Sequence, residues 1–439
     1  MGLINFFESL LFKEGVLYVF LTLVPLAILL KNYRSKDPVQ LYSPVSVLCL
    51  LFLYYTIVGP TVLITNGLAF YKSVDHRPVL FNGLLLSSIA FISFIVGYQK
   101  WFRKKWSDTG NNDFSLSVRF SKYLFFVIFI SVVLTTSLLG ITVNLFTTQS
   151  DYLNSVIYNG VFKNYIHHLM DALIGVILLF LLSYLVSKKN LYWLVFAFLF
   201  AVIVFITDAF RWRIVILGLS FALTYLIYHR KRINLFLSSG IFVAIIVFFG
   251  VIEFTRNYGR GLDTEQLNTY SPYQYFLGGF YESSVFFATG LLVEKVPNEV
   301  GFIGFEPLIQ TLLFPVPRAV WPEKSNGSYI SIYQDLYPSK ALGKGVAVLG
   351  FGEYYLAFGY PGVILGCFIL GVLFGNLWAW FKINIRNPIA IAIYAISTSF
   401  LYMIISRGYL PQVVMLFFFT VGPVLIFYFV IKSKKELVL

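Results

Sequence analysis

Charge is scarce in this chain. Asp, Glu, Lys and Arg make up only 12% of its 439 residues, about half the roughly 25% usual in soluble domains. That scarcity, beside a hydrophobic share of 58%, excludes an ordinary soluble globule and points to an integral membrane protein. No separate soluble domain is visible. Cysteine is scarcer still. Cys49 and Cys367 fall in different apolar runs and read as small packing residues rather than as a disulfide. The histidines, His76, His167, His168 and His229, show no spacing of a metal site. A paired acidic motif for a divalent metal, a Gly-rich nucleotide loop and a Ser/His/Asp signature are all missing, so neither a metal nor a cofactor is expected. No internal repeat stands out, which weakens the case for an inverted-repeat transporter.

Long apolar runs are abundant. Eleven of about 20 residues, the length a helix needs to cross a bilayer, lie near 14–30, 43–65, 79–98, 121–146, 167–187, 190–208, 212–228, 234–254, 356–381, 388–406 and 410–431. The first follows a tail with Glu8 and Glu14 and ends at Lys31 without a small-residue cleavage site. It reads as a span rather than a signal peptide. The connections alternate in charge. Lys31/Arg34/Lys36, Lys100/Arg103/Lys104/Lys105/Arg119/Lys122, Lys188/Lys189, Arg230/Lys231/Arg232, Lys382/Arg386 and Lys432/Lys434/Lys435 supply 19 of the 33 basic residues. Short basic connections stay cytoplasmic, so the N-terminus is expected outside and the C-terminus inside. The formal net charge of +13 is then a topology bias, and no nucleic-acid partner is expected. The expected fold is an all-α polytopic membrane protein of about eleven transmembrane helices with one large external loop. Its parts are a bundle over 1–254, the loop over 255–355 and a second bundle over 356–439.

The loop is the long polar interruption. Two broken apolar stretches within it, 275–293 and 303–316, predict helices lying on, or dipping into, the outer leaflet; two further spans are the competing reading. Arginines gather at the outer helix ends: Arg211 and Arg213 in "TDAFRWRIVILG", Arg256 and Arg260 in "EFTRNYGRG", Arg318 in "FPVPRAVWPEKS", and Arg407, with Tyr409 close by, in "SRGYLP". A guanidinium is a permanently charged fork matched to phosphate oxygens. A single arginine is usually a snorkelling lipid anchor; the cluster predicts a shared anion site. Pro315, Pro317 and Pro322 forbid a regular helix around Arg318, Trp321 and Lys324, and Trp321 is placed to stack on a sugar or to anchor at the interface. Glu353, in "GFGEYYLAFGYPG", enters a span between glycines. A carboxylate there is costly without a role or a partner, and two readings stay open, a general base or an ion pair with one of the arginines. His167 and His168 open the fifth span, with Asp171 one turn on to fix a tautomer. They are the second candidates for a base.

In these residues the chain resembles the bacterial O-antigen and capsular repeat-unit polymerases of the Wzy type. The "PR-x-x-WP-x-K" stretch (Pro317, Arg318, Trp321, Pro322, Lys324) looks like the family's, as does "GE-x-x-x-x-FG-x-x-G" (Gly352, Glu353, Phe358, Gly359, Gly362). Arg211 at the outer end of a mid-chain span also fits. The resemblance implies a glycosyltransferase of the lipid-carrier (GT-C) type in the bacterial plasma membrane. Its substrate would be an undecaprenyl-diphosphate-linked oligosaccharide. Arginines would stabilise the diphosphate without a metal, and Glu353 or His167/His168 would act as base. A flippase and a chain-length regulator are the protein partners it implies, with membrane lipids around the chain. An O-antigen ligase shares the architecture but uses an external-loop histidine, and 255–355 contains none. A lipid-linked oligosaccharide flippase is the alternative from another class.

Overall fold

In a computed structural model of the chain, the described residues are 10, 12–68, 70–71, 74–75, 79–106, 114–138, 169–207, 211–255, 265–316, 321, 331–333 and 347–436. They form a helical bundle. In chain order the helices are α1 (Phe12–Tyr33), α2 (Pro44–Thr65), α3 (Leu80–Gly97), α4 (Phe114–Leu138), α5 (Ala172–Ser187), α6 (Leu191–Thr207), α7 (Arg211–Tyr228), α8 (Leu235–Thr255), α9 (Pro272–Gly278), α10 (Val285–Lys295), α11 (Glu306–Leu313), α12 (Gly350–Ile383), α13 (Pro388–Ser406) and α14 (Leu410–Glu436). Between α2 and α3, Phe70–Tyr71 and Val74–Asp75 pair as a two-residue antiparallel ladder. Proline at the first helical position starts α2, α9 and α13; there its fixed φ and missing N–H cost nothing. Ser271 and Gln274 close a capping box on α9.

Seven stretches are long and apolar enough to cross a membrane: Phe12–Tyr33, Pro44–Thr65, Leu80–Gly97, Phe236–Thr255, Pro272–Lys295, Gly350–Ile383 and Pro388–Ser406. Shorter apolar helices cover Ala172–Ser187, Leu191–Ile206, Trp212–Tyr228 and Leu410–Leu425. The chain is a multi-pass membrane protein. α13 is almost wholly buried, whereas α1 and α8 bury few of their side chains. Helix α13 is therefore the centre of the bundle, and the outer helices face lipid.

The basic connections gather at one end. Lys382 pairs with Asp37, Arg232 Nη2 donates to the Ser35 carbonyl at 2.6 Å, and the Tyr42 hydroxyl donates to the Lys231 carbonyl at 2.5 Å. Lys104 N–H donates to Asn376 Oδ1 at 2.6 Å. Burial opposes ionisation of Asp37, but bonds from Lys382 and the Val39 N–H and the charges of Lys382 and Arg230 outweigh it and hold its carboxyl below the usual range. The alternation read in the sequence is thus a spatial segregation.

At the opposite end two segments enter the bundle and turn back. The first is Pro272–Lys295. Tyr273 donates to Asn66 Oδ1 at 2.9 Å, at the end of α2. Midway, Tyr54 donates to the Gly279 carbonyl at 2.8 Å, Gly279 lies against the Ile246 carbonyl in α8, and Gly59 packs on Ser283. Further on, Gly290 touches Val79, which precedes α3. Asn66 and Val79 bracket one connection, so both ends of the stretch lie at the same end of the bundle. Despite its length it is a hairpin, descending as α9, turning at Tyr281–Ser284 and rising as α10. These contacts are those of a segment that enters the bundle and returns to the same end. Backbone off the regular helix at such depth is tolerated only where protein surrounds it, as it does here.

The second is the start of α12. Residues eight apart along a straight helix are about 12 Å apart, yet Gly362 lies against the Tyr354 carbonyl and Gly366 against the Tyr354 ring. Residues 350–357 therefore fold back on 360–383. The reversal is at Phe358 (φ −143°) and Gly359 (φ 67°, ψ −152°), a conformation essentially confined to glycine. The span expected over 356–381 thus begins at the turn, preceded by a short buried arm. Near the turn the Ile303 N–H donates to the Leu356 carbonyl at 3.1 Å and the Gly304 N–H to the Ala357 carbonyl at 3.0 Å. Beside them α11 buries Pro307 and Gln310 and exposes Leu308, Ile309 and Leu312, with exposed Phe305 just before it, the pattern of a helix resting in a membrane surface.

Candidate active site

The two dips meet at the turn between α13 and α14. Leu349 N–H donates to Thr289 Oγ1 at 2.8 Å, joining the start of the short arm of α12 to α10. Gly408 N–H donates to the Val348 carbonyl at 2.9 Å. Leu410 N–H, at the open start of α14, is held by both Glu353 oxygens at 3.1 and 2.8 Å. The first N–H groups of a helix have no partner within it, and a carboxylate there meets both the donor and the positive end of the helix dipole. Glu353 is 2% exposed. Its partner is this backbone N–H, not an arginine as one reading of the sequence had it.

Arg407 stands three residues before Leu410. Its Nη2 donates to Glu282 Oε1 at 2.8 Å. Glu282 sits on the turn of the first hairpin and is buried; the Tyr402 hydroxyl approaches the same oxygen at 3.5 Å, and Tyr55 packs nearby with its ring 6.3 Å from that of Tyr402. One cation and two carboxylates, from three separate segments, thus lie together at the meeting point of the dips. Below them a cavity of about 480 Å³ runs between α12, α13 and α14. Glu353 and Arg407 line it, with Gly350, Tyr354 and otherwise apolar side chains, Ser397 excepted. The volume falls within the roughly 300–1,000 Å³ usual for ligand sites.

The other residues singled out in the sequence distribute as follows. Arg213 is 1% exposed and bonds Asp171 Oδ1 through Nε at 2.7 Å. The pair ties α7 to the start of α5. Arg211 begins α7. Tyr409 is half-buried, its ring 6.4 Å from that of Phe314, and Trp321 is 44% exposed. His167, His168, Arg256, Arg260, Arg318 and Lys324 lie outside the described residues. Among the described residues no group of three His, Cys, Asp or Glu is placed to hold a metal. Glu282 was not among the sequence candidates. Its signal was a lone carboxylate in the apolar run "GGFYESSVFFATG", where charge is costly unless it serves a function or a partner.

The family model for O-antigen polysaccharide polymerase Wzy matches residues 1–436, nearly the whole chain. The chain belongs to the Wzy family. No curated protein and no solved structure matches it. Wzy membership accounts for the multi-pass helical bundle and assigns polymerisation of O-antigen repeat units in a membrane. For a Wzy polymerase, a recess holding a cation and a carboxylate at the end of an apolar cavity is the place to look for the chemistry.

Proposed function

We propose that the chain joins lipid-linked repeat units at the recess formed by Arg407, Glu282 and Glu353, by glycosyl transfer of the GT-C type. The acceptor is a hydroxyl on the incoming repeat unit, and the donor is a growing chain held on undecaprenyl diphosphate. The hydroxyl oxygen attacks the anomeric carbon of the donor, and the bond from that carbon to the diphosphate oxygen breaks with its electron pair leaving on the diphosphate. The proton goes to Glu353. Arg407 faces the charge that develops on the leaving group, where a preorganised donor contributes most. Glu282 orients Arg407 and offsets its charge before substrate arrives.

The observation that carries this reading is the cavity lining. Glu353 and Arg407 lie together on one wall, while the deeper lining, from Leu370 to Leu377, is apolar. A flippase would need polar groups along that path, so the polymerase reading is favoured. With Pro272–Lys295 counted as a hairpin, the crossing helices are α1 to α8 and α12 to α14. That makes eleven, with the N-terminus outside, the C-terminus cytoplasmic, and the recess opening to the outer face of the bacterial plasma membrane. Segment 255–355 then lies between the bundles 1–254 and 356–439, starting and ending on the outer side, with its two dips set into the bundle. Arg211, Arg256, Arg260, Arg318, Trp321 and Lys324 would extend the anion and sugar site from that side, His167 and His168 stand as the alternative base, and arginines would take the place of a metal. A flippase and a chain-length regulator would supply and measure the product.

Deletion with complementation tests the reading. Cells lacking the protein should display single repeat units and no polymer, and the intact chain should restore the polymer. Loss of single units as well would mean that delivery, not joining, had failed.

A further inference from the structure

The cavity below Arg407 is a slot with a direction. Arg407, Ile404, Phe400 and Ser397 follow one face of α13 down its wall, and ten residues of helix span about 15 Å. Leu370, Leu373 and Phe374 of α12 form the second wall, and Val414 and Phe417 of α14 the third. Leu373 is 59% exposed and Phe418 61%. Both line the slot, so it opens sideways, between α12 and α14, on the lipid-facing surface of the bundle.

From this geometry we infer that the slot is the seat of the substrate's isoprenoid chain. The inference rests on the polymerase reading above and adds where the carrier lies. A diphosphate at Arg407 sets the direction of whatever is attached to it. One route leads down the slot, whose lining offers hydrocarbon and aromatic faces and almost no hydrogen-bonding group. A chain without polar atoms suits that lining, and the side opening lets a carrier longer than the slot leave into the bilayer. Lateral entry also lets a membrane-bound substrate arrive without its chain leaving lipid. A guanidinium at one end and an apolar walled trough at the other match an anionic head on a single apolar chain. The meeting of the two dips closes the top of the slot and holds the scissile bond beside Glu353.

The test is site-specific photocrosslinking of the full-length protein in phosphatidylethanolamine vesicles. Leu373→p-benzoylphenylalanine and Phe418→p-benzoylphenylalanine place the reactive group in the slot. Leu365→p-benzoylphenylalanine places it on the exposed, non-lining side of α12. Illumination with radiolabelled polyprenyl diphosphate should label the first two variants well above the third. Excess unlabelled polyprenyl diphosphate should remove that label, and phosphatidylglycerol should not. Equal labelling at all three positions, or equal displacement by phosphatidylglycerol, would overturn the assignment, the latter making the slot an ordinary lipid site. Val414→Trp, which narrows the slot, should raise the KM for lipid-linked repeat units about tenfold, the equivalent of excluding about two methylenes, with kcat little changed. If polymer forms normally while the slot stays unlabelled, the tail site falls and the polymerase stands. If the slot is labelled but the wild-type protein forms no polymer, the polymerase reading falls instead.

Discussion

Breaking and then rebalancing the Glu282–Arg407 pair separates what Arg407 does for the fold from what it does for the reaction. The pair is 2.8 Å long, with 29% of the arginine side chain and 6% of the glutamate side chain exposed. Arg407→Ala leaves a carboxylate buried without its cation. Removing one partner of a buried pair costs about 3–5 kcal/mol, and the partial exposure of Arg407 puts this case at the low end. Melting of the purified protein in detergent should fall by about 5 °C. Polymer should also vanish, which by itself proves little. The double variant Glu282→Gln, Arg407→Met removes both charges and keeps similar volumes. Replacing a buried ion pair by neutral groups is often close to neutral for stability, so its melting should return to within about 2 °C of wild type. Its polymerisation rate should remain about 10²- to 10³-fold down, the usual cost of removing one preorganised donor to a developing anion. Arg407→Lys keeps the charge without the planar fork and should fall between. A double variant that is stable and makes full-length polymer would show that Arg407 is a structural counter-ion only.

Glu353→Gln keeps a carbonyl oxygen to accept the Leu410 N–H, so melting should be nearly unchanged. As the variant lacks a base, turnover of lipid-linked repeat units should drop about 10²- to 10⁴-fold; normal turnover would move the base to His167 or His168, and lost stability would make Glu353 an anchor for α14. Cysteines introduced by Asn268→Cys and Asn298→Cys flank the first hairpin at exposed positions. Both should react with an impermeant thiol reagent applied from the outside, and Lys189→Cys should not. Reaction of only one of the pair would make Pro272–Lys295 a crossing helix.

Much of this architecture was legible in the sequence. The polar breaks and basic clusters placed α2, α3, α5, α7, α8 and α13 within a few residues, because a helix in lipid must be apolar over its whole length and charge has nowhere to go but the ends. The two dips were harder. Pro272–Lys295 carries the hydrophobicity of a span, and its Gly and Glu interruptions left a dipping helix and further spans as competing readings; what separates them is the tertiary contact with Asn66 and Val79. The fold-back of α12 did leave a mark, the "FGYPG" run, since Gly359 takes a backbone conformation closed to other residues and Pro361 follows it. Glu353 drew attention as a carboxylate in apolar surroundings, and Arg407 as an arginine at an outer helix end. Their partners did not. Glu353 takes a backbone N–H 57 residues away and Arg407 a carboxylate 125 residues away, and no spacing rule reaches across such distances.

Joining of repeat units is tested most directly with purified protein in vesicles and lipid-linked repeat units as the only substrate. Products are resolved by gel for chain length and by chromatography for released polyprenyl diphosphate. The expected result is a ladder of lengthening chains, with one polyprenyl diphosphate released for each repeat unit joined, absent from the Glu353→Gln and Arg407-substituted proteins. Repeat units that stay single, yet move from one leaflet of the vesicle to the other, would contradict it.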